Sequence, residues 1–335
     1  MTLPILRTSY GVFLFQEGRT MNDQEVRLNE AINLFLGSKY GVVSKSYITF
    51  MEARFKKLVI YLGDIPVNDI TINDLRAWRA SLFDLDVKYK DHPYKEPIPG
   101  NLSPWTIHQH IRVVKMFFRW LYLEGITSHD AGKRLEQVQL PSWEARGINK
   151  ADRDRMLKAA KEQHDIFAAA RNYAIMLFIA DTGCRRAGVA GLRMDDLYLD
   201  DNKAFIREKG RGGLHKSRIV FFKDKTKRAL NNWLKYRGKT NCEFVFTSLL
   251  NHSNRITPEA INIIFKNTAK LAGVRKKFHP HQWRHGTIRA WLEAGMPLPT
   301  ASQLAGHTTV KITGDIYGIV SESKLRSEHE KYSWV

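Results

Sequence analysis

The chain has 335 residues, a length that at roughly 150 residues per domain predicts about two domains. Hydrophobic residues make up 43% of it and charged residues 26%, which is ordinary globular composition and excludes wholesale disorder. Lys and Arg number 53 against 34 Asp and Glu, a net charge of +19. Because this charge is spread along the chain, it favours a folded surface for nucleic acid over a disordered basic arm; general solubility charge is the alternative.

The composition also disfavours membrane proteins and disulfide-rich proteins. The longest uninterrupted apolar run, Tyr173 to Ala180, has 8 residues, whereas a spanning helix needs roughly 20, so we expect a cytoplasmic protein. Cys184 and Cys242 are too few for a disulfide framework and lack the clustered spacing of a structural zinc site. We expect Cys184, beside Arg185, to be buried packing.

The N-terminal half has the apolar spacing of a bundle of amphipathic helices, with apolar residues three and four positions apart. Ser103 and Pro104 add a start signal, because Ser is a frequent N-cap and Pro a frequent first-turn residue. The predicted helices are Glu25–Phe35, Ser44–Leu62, Thr71–Leu85 and Ser103–Leu123, with a loop at Lys88–Gly100. We therefore predict an N-terminal extension at 1–24 and an all-helical domain at 25–140.

The C-terminal half adds a small sheet to further helices. β-Rich runs on both sides of the Gly-rich turn at Gly210–Gly213 predict a β-hairpin over Lys203–Phe222. The predicted helices are Asn149–Glu162, Phe167–Asp181, Asp224–Tyr236 with Asp224 as N-cap, and Pro258–Ala272. After a linker at 141–149 we predict a mixed α/β domain at 150–320 and a tail at 321–335. The predicted fold class is mainly α with a small β-sheet.

One histidine-rich segment allows two interpretations. His281 and His285 are four apart on one helix face, as paired zinc ligands are. Gln282 cannot act as the general base of such a site and no obvious third ligand follows, so we predict no metal. His281 and Arg284, three apart, combine an acid–base group with a fixed cation, the pairing that a phosphate-handling site requires.

Four short motifs follow one another along the C-terminal half. They are Thr182–Arg185 followed by Gly191–Arg193, His281–His285 running to Glu293–Gly295, Leu304–His307, and Asp315–Gly318. In this order they resemble the motifs of the tyrosine recombinases of the phage integrase family. The helical N-terminal half resembles that family's core-binding domain, so the likeness covers nearly the whole chain.

The resemblance implies a role for each motif residue. Arg185 and Arg284 would hold the scissile phosphate, and Tyr317 would be the nucleophile. His281 and His307 match the remaining histidine positions, with His281 as the base for the Tyr317 proton. The chemistry agrees, because a phosphodiester under attack gathers charge on its nonbridging oxygens, which forked guanidinium groups bind well.

The family's catalytic lysine lies on a β-hairpin just before a glycine. Lys209, followed by Gly210, fits that place, and Lys216 is its rival. Such an ammonium can supply the proton that the leaving 5′ oxygen needs. With arginines to bind the phosphate charge, a base for the Tyr317 proton and an ammonium for the leaving oxygen, we expect no metal. Because a phosphotyrosyl linkage would retain the energy of the broken bond, we also expect no ATP, and no other cofactor.

Two positions depart from the family pattern. Gly188 stands three residues after Arg185, where the family often has an acidic residue, so another group must orient Arg185. Trp283 replaces a smaller aliphatic residue, which predicts altered packing beneath its helix.

The resemblance implies a site-specific DNA recombinase, from a mobile element or phage, that acts on double-stranded DNA as a homotetramer on two synapsed sites. Accessory DNA-bending proteins are expected partners, and the tail at 321–335 is expected to dock on a neighbouring protomer. The polar face of the fourth helix is our candidate for groove contact, with a solvated face as the alternative. The predicted DNA-binding residues are His110, Arg112, Lys115 and Arg119, with His108 beside them, and Lys216 on the hairpin.

Two other functions fit the same motifs. A type IB topoisomerase-like enzyme would use a similar constellation to relax supercoils without a defined site. A catalytically silent DNA-binding protein of the same fold would bind DNA tightly without forming a covalent product.

Overall fold

The computed structural model describes residues 25–84, 87–88, 96–141, 147–209, 215–275, 278–307, 309–317 and 329–330. The predicted extension at 1–24, the turn at Gly210–Gly213 and most of the tail at 321–335 lie outside these residues. The chain forms two compact units, Met1–Ser142 and Trp143–Val335. Both are helical and the second holds a small sheet, so the predicted fold class is confirmed.

In the described residues the N-terminal unit has four helices, and three of them begin with a side-chain N-cap. Ser44, Thr71 and Ser103 each accept a hydrogen bond from a backbone N–H in the first turn. Phe35, Phe55 and Phe117 meet in the core in edge-to-face contacts, with centroids 5.1 to 5.8 Å apart. The helices are α1 (Leu28–Gly37), α2 (Lys45–Leu62), α3 (Ile72–Ser81) and α4 (Pro104–Leu123).

The segment between α3 and α4 differs from its prediction. Helix α3 ends at Ser81, four residues before the predicted Leu85. The ends of the predicted loop pair as a short antiparallel ribbon of β1 (Val87–Lys88) and β2 (Ile98–Pro99). The ribbon therefore closes the loop at its base.

Helix α4 corrects the prediction for His110. This side chain is only 4% exposed, and its ring lies 6.4 Å from that of Trp78. Position 110 shares the buried face with Ile107 and Val114, three and four residues away. Burial lowers the pKa of His110 to about 3, with a smaller contribution from the charge of Arg54. The prediction that His110 contacts DNA is wrong, because the residue belongs to the core.

The other predicted contact residues on α4 fall into two groups. Arg112 and Arg119 are exposed, and the Arg119 guanidinium lies 5.7 Å from the ring centre of Tyr122. Lys115 is half-buried, and its Nζ donates hydrogen bonds to the carbonyl oxygens of Leu135 at 2.5 Å and Lys133 at 3.4 Å. Lys115 thus holds the segment after α4 to the helix.

The C-terminal unit surrounds one buried helix, α6, with further helices and a three-stranded antiparallel sheet of order β3–β4–β5. The strands are β3 (Leu197–Tyr198), β4 (Lys203–Lys209) and β5 (His215–Phe221). The helices are α5 (Lys150–Lys161), α6 (Ile166–Thr182), α7 (Arg186–Ala190), α8 (Asp224–Arg237), α9 (Pro258–Leu271), α10 (Pro280–Glu293), α11 (Leu298–Ala305) and α12 (Val310–Tyr317).

The predicted hairpin is confirmed, since β4 and β5 pair along their whole length up to Lys209 opposite His215. The predicted cap of α8 is wrong. Asp224 is the first helical residue, and its carboxylate accepts a hydrogen bond from Asn202. The start of α8 is held by Asp181, whose Oδ2 accepts from the backbone N–H of Lys223 at 2.6 Å. The capping group therefore comes from the end of α6.

The interior of the C-terminal unit explains the unusual tryptophan. Trp283 is 1% exposed and packs edge-to-face on Phe265 of α9, with centroids 5.1 Å apart. Its ring thus packs α10 against α9, and the predicted difference in packing from other family members stays a prediction. Cys184 is also fully buried, as expected. Among the described residues no helix has the length and apolar character needed to cross a membrane.

Candidate active site

The first motif lies where α6 ends and α7 begins. Gly183 ends α6 in the left-handed conformation, with φ of +62°, which glycine adopts without strain. Cys184 then inserts into the core, and Arg185 follows in extended conformation at the N-cap position of α7. The helix break thus leaves Arg185 half-buried at the edge of the core rather than on a helix surface.

The second motif lies on α10. Arg284 is 1% exposed, and its guanidinium donates from Nη1 to the carbonyl oxygen of Gly183 and from Nη2 to that of Ala305, both at 2.6 Å. These two contacts join the end of α6 to the end of α11. Gln282, which lacks the base function of a zinc-protease glutamate, accepts a hydrogen bond from the backbone N–H of His279 and so caps the helix.

The third motif ends α11. Gly306 closes the helix with φ of +69°, and its carbonyl oxygen lies 3.4 and 3.5 Å from Nη1 and Nη2 of Arg185. His307 follows, and its Nδ1 lies 2.7 Å from the hydroxyl of Thr313 on α12. The structure therefore brings Arg185, Arg284 and His307 together around the end of α11.

The remaining predicted residues are placed by their backbone alone. Tyr317 is the last residue of α12, one helical turn after Thr313. Lys209 ends β4 opposite His215, and Lys216 pairs with Glu208. The side chains of Tyr317 and both lysines lie outside what the structure describes.

The histidines of the site have lowered pKa values. Burial, followed by the positive charges of Arg284 and Arg185, lowers the pKa of His307 to about 4. Partial burial lowers the pKa of His281, and the positive charge of Arg284 lowers it further. Both imidazoles are therefore neutral at pH 7, and the positive charge of the site belongs to its arginines.

The paired histidines do not form part of a metal cluster. His281 and His285 stack edge-on with ring centroids 4.3 Å apart, and burial lowers the pKa of His285 to about 3. Across the described ranges, no group of three or more His, Cys, Asp or Glu side chains is arranged to hold a metal ion. His285 is 4% exposed and packs inside the unit, whereas His281 is accessible.

Two residues at the site were not predicted from the sequence. Arg218 of β5 donates from Nη1 to the carbonyl oxygen of Leu304 and lies 3.7 Å from Sγ of Cys184 through Nη2. Thr313 is fully buried against His307. One sequence signal could have identified Arg218. It lies two residues before Val220 on the predicted strand, so it shares the strand face of this buried residue, where a charged side chain needs a partner.

A comparison of the chain with known protein families identifies the family to which these motifs belong. The model of the phage integrase family matches residues 147–323, which is just over half of the chain. The chain belongs to the phage integrase family. It is thus an enzyme of the tyrosine recombinase class, a DNA strand transferase.

Relatives of this phage integrase family member include bacterial recombinases. The tyrosine recombinase XerC of Pseudomonas syringae pv. tomato is 28% identical over 241 residues, which cover 71% of this chain and 77% of that protein. The tyrosine recombinase XerD of Listeria monocytogenes serovar 1/2a is 28% identical over 236 residues, which cover 69% and 76%.

Solved structures share the fold of this integrase family member at low identity. The Tn1549 transposon integrase in complex with transposon right end DNA superposes with a TM-score of 0.71 at 16% identity, covering 92% of this chain and 99% of that one. A lambda integrase dimer bound to a COC′ core site gives 0.66 at 13% identity, covering 85% and 97%.

Proposed function

We propose that the protein is a site-specific recombinase that cuts and rejoins duplex DNA through a 3′-phosphotyrosyl intermediate on Tyr317, without metal or ATP. The observation that carries this proposal is the convergence of Arg185, Arg284 and His307 at the end of α11. Helix α12, which Thr313 joins to His307, ends at Tyr317.

The two arginines act as the phosphate clamp. Each guanidinium carries five N–H donors in a rigid plane, and backbone carbonyls hold both planes at defined angles. Nonbridging oxygens of the scissile phosphate bind these cations, and their growing charge in the transition state is stabilised by groups that need no reorganisation. The buried position of Arg284 strengthens this interaction, because little water competes there.

The histidines divide the proton work. A neutral His281 accepts the proton of Tyr317 as the phenol oxygen bonds to phosphorus. His307 is also neutral, and in the tautomer whose Nδ1 accepts a hydrogen bond from the Thr313 hydroxyl, its Nε2–H donates a hydrogen bond to a nonbridging phosphate oxygen and keeps its proton. The bond from phosphorus to the 5′ oxygen breaks, and this oxygen takes a proton from Lys209, with Lys216 as the rival donor. Rejoining reverses each transfer on a new 5′ hydroxyl.

The rest of the chain serves DNA binding and assembly in this proposal. The helical domain at 25–140 clamps the duplex through exposed cations such as Arg112 and Arg119, and a linker at 141–149 joins it to the catalytic domain at 150–320. Four copies act on two synapsed sites, the tail at 321–335 docks on a neighbour, and accessory DNA-bending proteins assist. A mobile element or phage is the proposed source.

Covalent trapping tests the proposal. Nicked duplexes from DNA flanking the gene are incubated with the protein in EDTA, and denaturation-resistant protein–DNA bands are counted. We expect a band for the wild type and for Tyr198→Phe, an accessible tyrosine of the sheet, and none for Tyr317→Phe. A band that survives in Tyr317→Phe contradicts the nucleophile. Relaxation of any supercoiled plasmid without a preferred site indicates a topoisomerase-like enzyme, and salt-sensitive binding without a band indicates a silent binder.

A further inference from the structure

The end of α11 has an unusual set of hydrogen-bond partners. A helix leaves its last carbonyl groups without partners inside the helix. Here three consecutive carbonyls each contact a different arginine: Leu304 contacts Arg218, Ala305 contacts Arg284 and Gly306 contacts Arg185. We call these the carbonyl row. The arginines come from β5, from α10 and from the start of α7, so the row joins three elements.

Arg218 is the member of this group that the mechanism above does not use. Besides the Leu304 carbonyl, its guanidinium reaches Sγ of Cys184 at 3.7 Å, next to Arg185 in the chain. Arg218 therefore links both ends of the phosphate clamp: the row that Arg185 and Arg284 contact, and the buried residue that anchors Arg185.

Gly306 gives a second, independent sign that this contact is specific. A Cβ at position 306 would lie 2.5 Å from Nε and 2.6 Å from Cδ of Arg218, closer than real contacts allow. Its φ of +69° also disfavours other residues. The close approach of Arg218 to the main chain thus depends on glycine at the very residue whose carbonyl faces Arg185.

The charge of Arg218 also acts on the site. The pKa of His307 is lowered first by burial and then by three cations that face it: Arg284 from α10, Arg185 from the start of α7 and Arg218 from β5; His281 of α10, the remaining titratable neighbour, contributes least. Removing one of these cations raises the pKa of His307.

We propose that Arg218 is a positioning residue for strand cleavage, which fixes the carbonyl row so that Arg185 and His307 face the scissile phosphate. It acts through Gly306 and Cys184 and supplies the orientation that Gly188 cannot supply in place of an acidic side chain. The proposal rests on the proposed recombinase function for its effect on rate, but its effect on His307 is a property of the free protein.

Three variants and one control test this role. Arg218→Gln removes both the positive charge and the planar set of guanidinium donors, whereas Arg218→Lys keeps the charge alone. Gly306→Ala adds a Cβ that displaces the Arg218 side chain from the backbone at position 306. Arg207→Gln is the matched control: it lies on the neighbouring strand, and its exposed guanidinium likewise holds a buried acceptor, the Asp196 carboxylate. Each is assayed for the rate of covalent trapping on the nicked duplex, DNA affinity, melting temperature and, without DNA, the pKa of His307 by NMR.

We expect Arg218→Gln and Gly306→Ala to slow trapping by about 30-fold or more with DNA affinity within about threefold, and Arg218→Lys to recover part of the rate. We expect the pKa of His307 to rise by about half a unit or more in Arg218→Gln and to stay near the wild-type value in Arg218→Lys. The control should change neither quantity.

Two outcomes overturn the proposal. One is a folded Arg218→Gln protein with wild-type trapping and an unchanged pKa of His307. The other is full recovery of the Arg218→Gln rate on a substrate with sulfur in place of the bridging 5′ oxygen. A thiolate leaves without taking up a proton, so full recovery would mean that Arg218 serves protonation of the leaving group by the lysine and does not position the phosphate clamp. If Arg218→Gln does not fold, the trapping rates of Arg218→Lys and Gly306→Ala test the proposal in its place. If the wild type itself traps no DNA, the recombinase function fails, while the pKa of His307 still tests the contact.

Discussion

Two histidines, one in each unit, have nearly the same titration behaviour in different surroundings. Burial is the main reason that the pKa of His110 falls to about 3 and that of His307 to about 4. His110 lies beside Trp78 in an aromatic core, whereas His307 meets a hydroxyl and a cluster of arginines. A lowered pKa alone therefore does not mark an active site. What distinguishes the second region is the convergence of cations that are held by main-chain carbonyls.

The largest expected effect contrasts two buried arginines. Arg284→Gln removes one cation of the proposed phosphate clamp and the guanidinium that two carbonyls share, so we expect trapping to slow by about 1,000-fold. Arg171 is similarly buried and donates to the Thr247 carbonyl, but it lies outside the site. Arg171→Gln should lower the melting temperature while the rate of trapping, measured below that temperature, stays within about threefold of wild type. Equal loss of rate in both variants would remove the distinction between the two arginines.

The two histidines themselves give the next largest contrast. His307→Gln should slow trapping by about 100-fold at pH 7.5, because it removes the proposed hydrogen-bond donor to the phosphate. His110→Leu should leave the rate within about twofold, since the residue fills core space on α4. Single-turnover trapping on one nicked duplex measures both variants. A defect of similar size in His110→Leu would count against its purely structural role.

The acid stability of the protein depends in part on His110, although this residue lies outside the candidate active site. The pKa of His110 in the folded protein lies below the ordinary unfolded value of about 6.5. Its contribution to the free energy of unfolding is therefore complete above pH 6.5 and is lost as the pH falls toward about 3. By pH 4.5 the unfolded chain should gain about 2 to 3 kcal/mol from protonating this residue. Urea unfolding at pH 7 and pH 4.5 should therefore show a smaller acid loss in His110→Leu than in the wild type. An identical loss would mean that His110 is protonated in the folded protein.

The smallest expected effect separates cations on α4. If Arg112 and Arg119 each bind a phosphate, Arg112→Gln and Arg119→Gln should each lower the slope of log affinity against log salt by about 1. Lys115→Gln should leave the slope unchanged, because its ammonium is occupied by the Leu135 and Lys133 carbonyls. Titration of labelled duplex at several salt concentrations measures the slopes. A slope that is unchanged in both arginine variants would assign DNA contact to another surface.

Local pattern was enough for most elements of this fold. Helix period, N-cap residues such as Ser103 and Asn149, and the Gly-rich turn place α4, α5 and the hairpin within a few residues of their observed limits. His110 was misassigned because its polar type was given more weight than its position on the apolar face. Its spacing of three residues from Ile107 and four from Val114 indicates that it lies on the buried face of α4.

The features that sequence pattern missed depend on contacts between distant parts of the chain. Asp181 caps α8 from 42 residues away, and Arg218 reaches the Leu304 carbonyl across 86 residues. Neither contact shows in local periodicity, because the backbone N–H of Lys223 and the backbone carbonyl of Leu304 carry no residue identity. The motif order singled out Arg185, Arg284 and His307, which the structure brings together, but the contact of Arg185 with the Gly306 carbonyl joins positions 121 residues apart and follows from no local pattern.

The carbonyl row also bears on how far related sequences can diverge. Every amino acid has the same carbonyl group, so exchanging Leu304 or Ala305 for another residue of similar size would keep the acceptors in place. Only position 306 is narrowly restricted, by its backbone angle and by the nearby guanidinium. Mutational tolerance around the site should therefore be uneven, with variation at 304 and 305 limited by volume and variation at 306 nearly absent. A saturation library selected for trapping would show this profile directly.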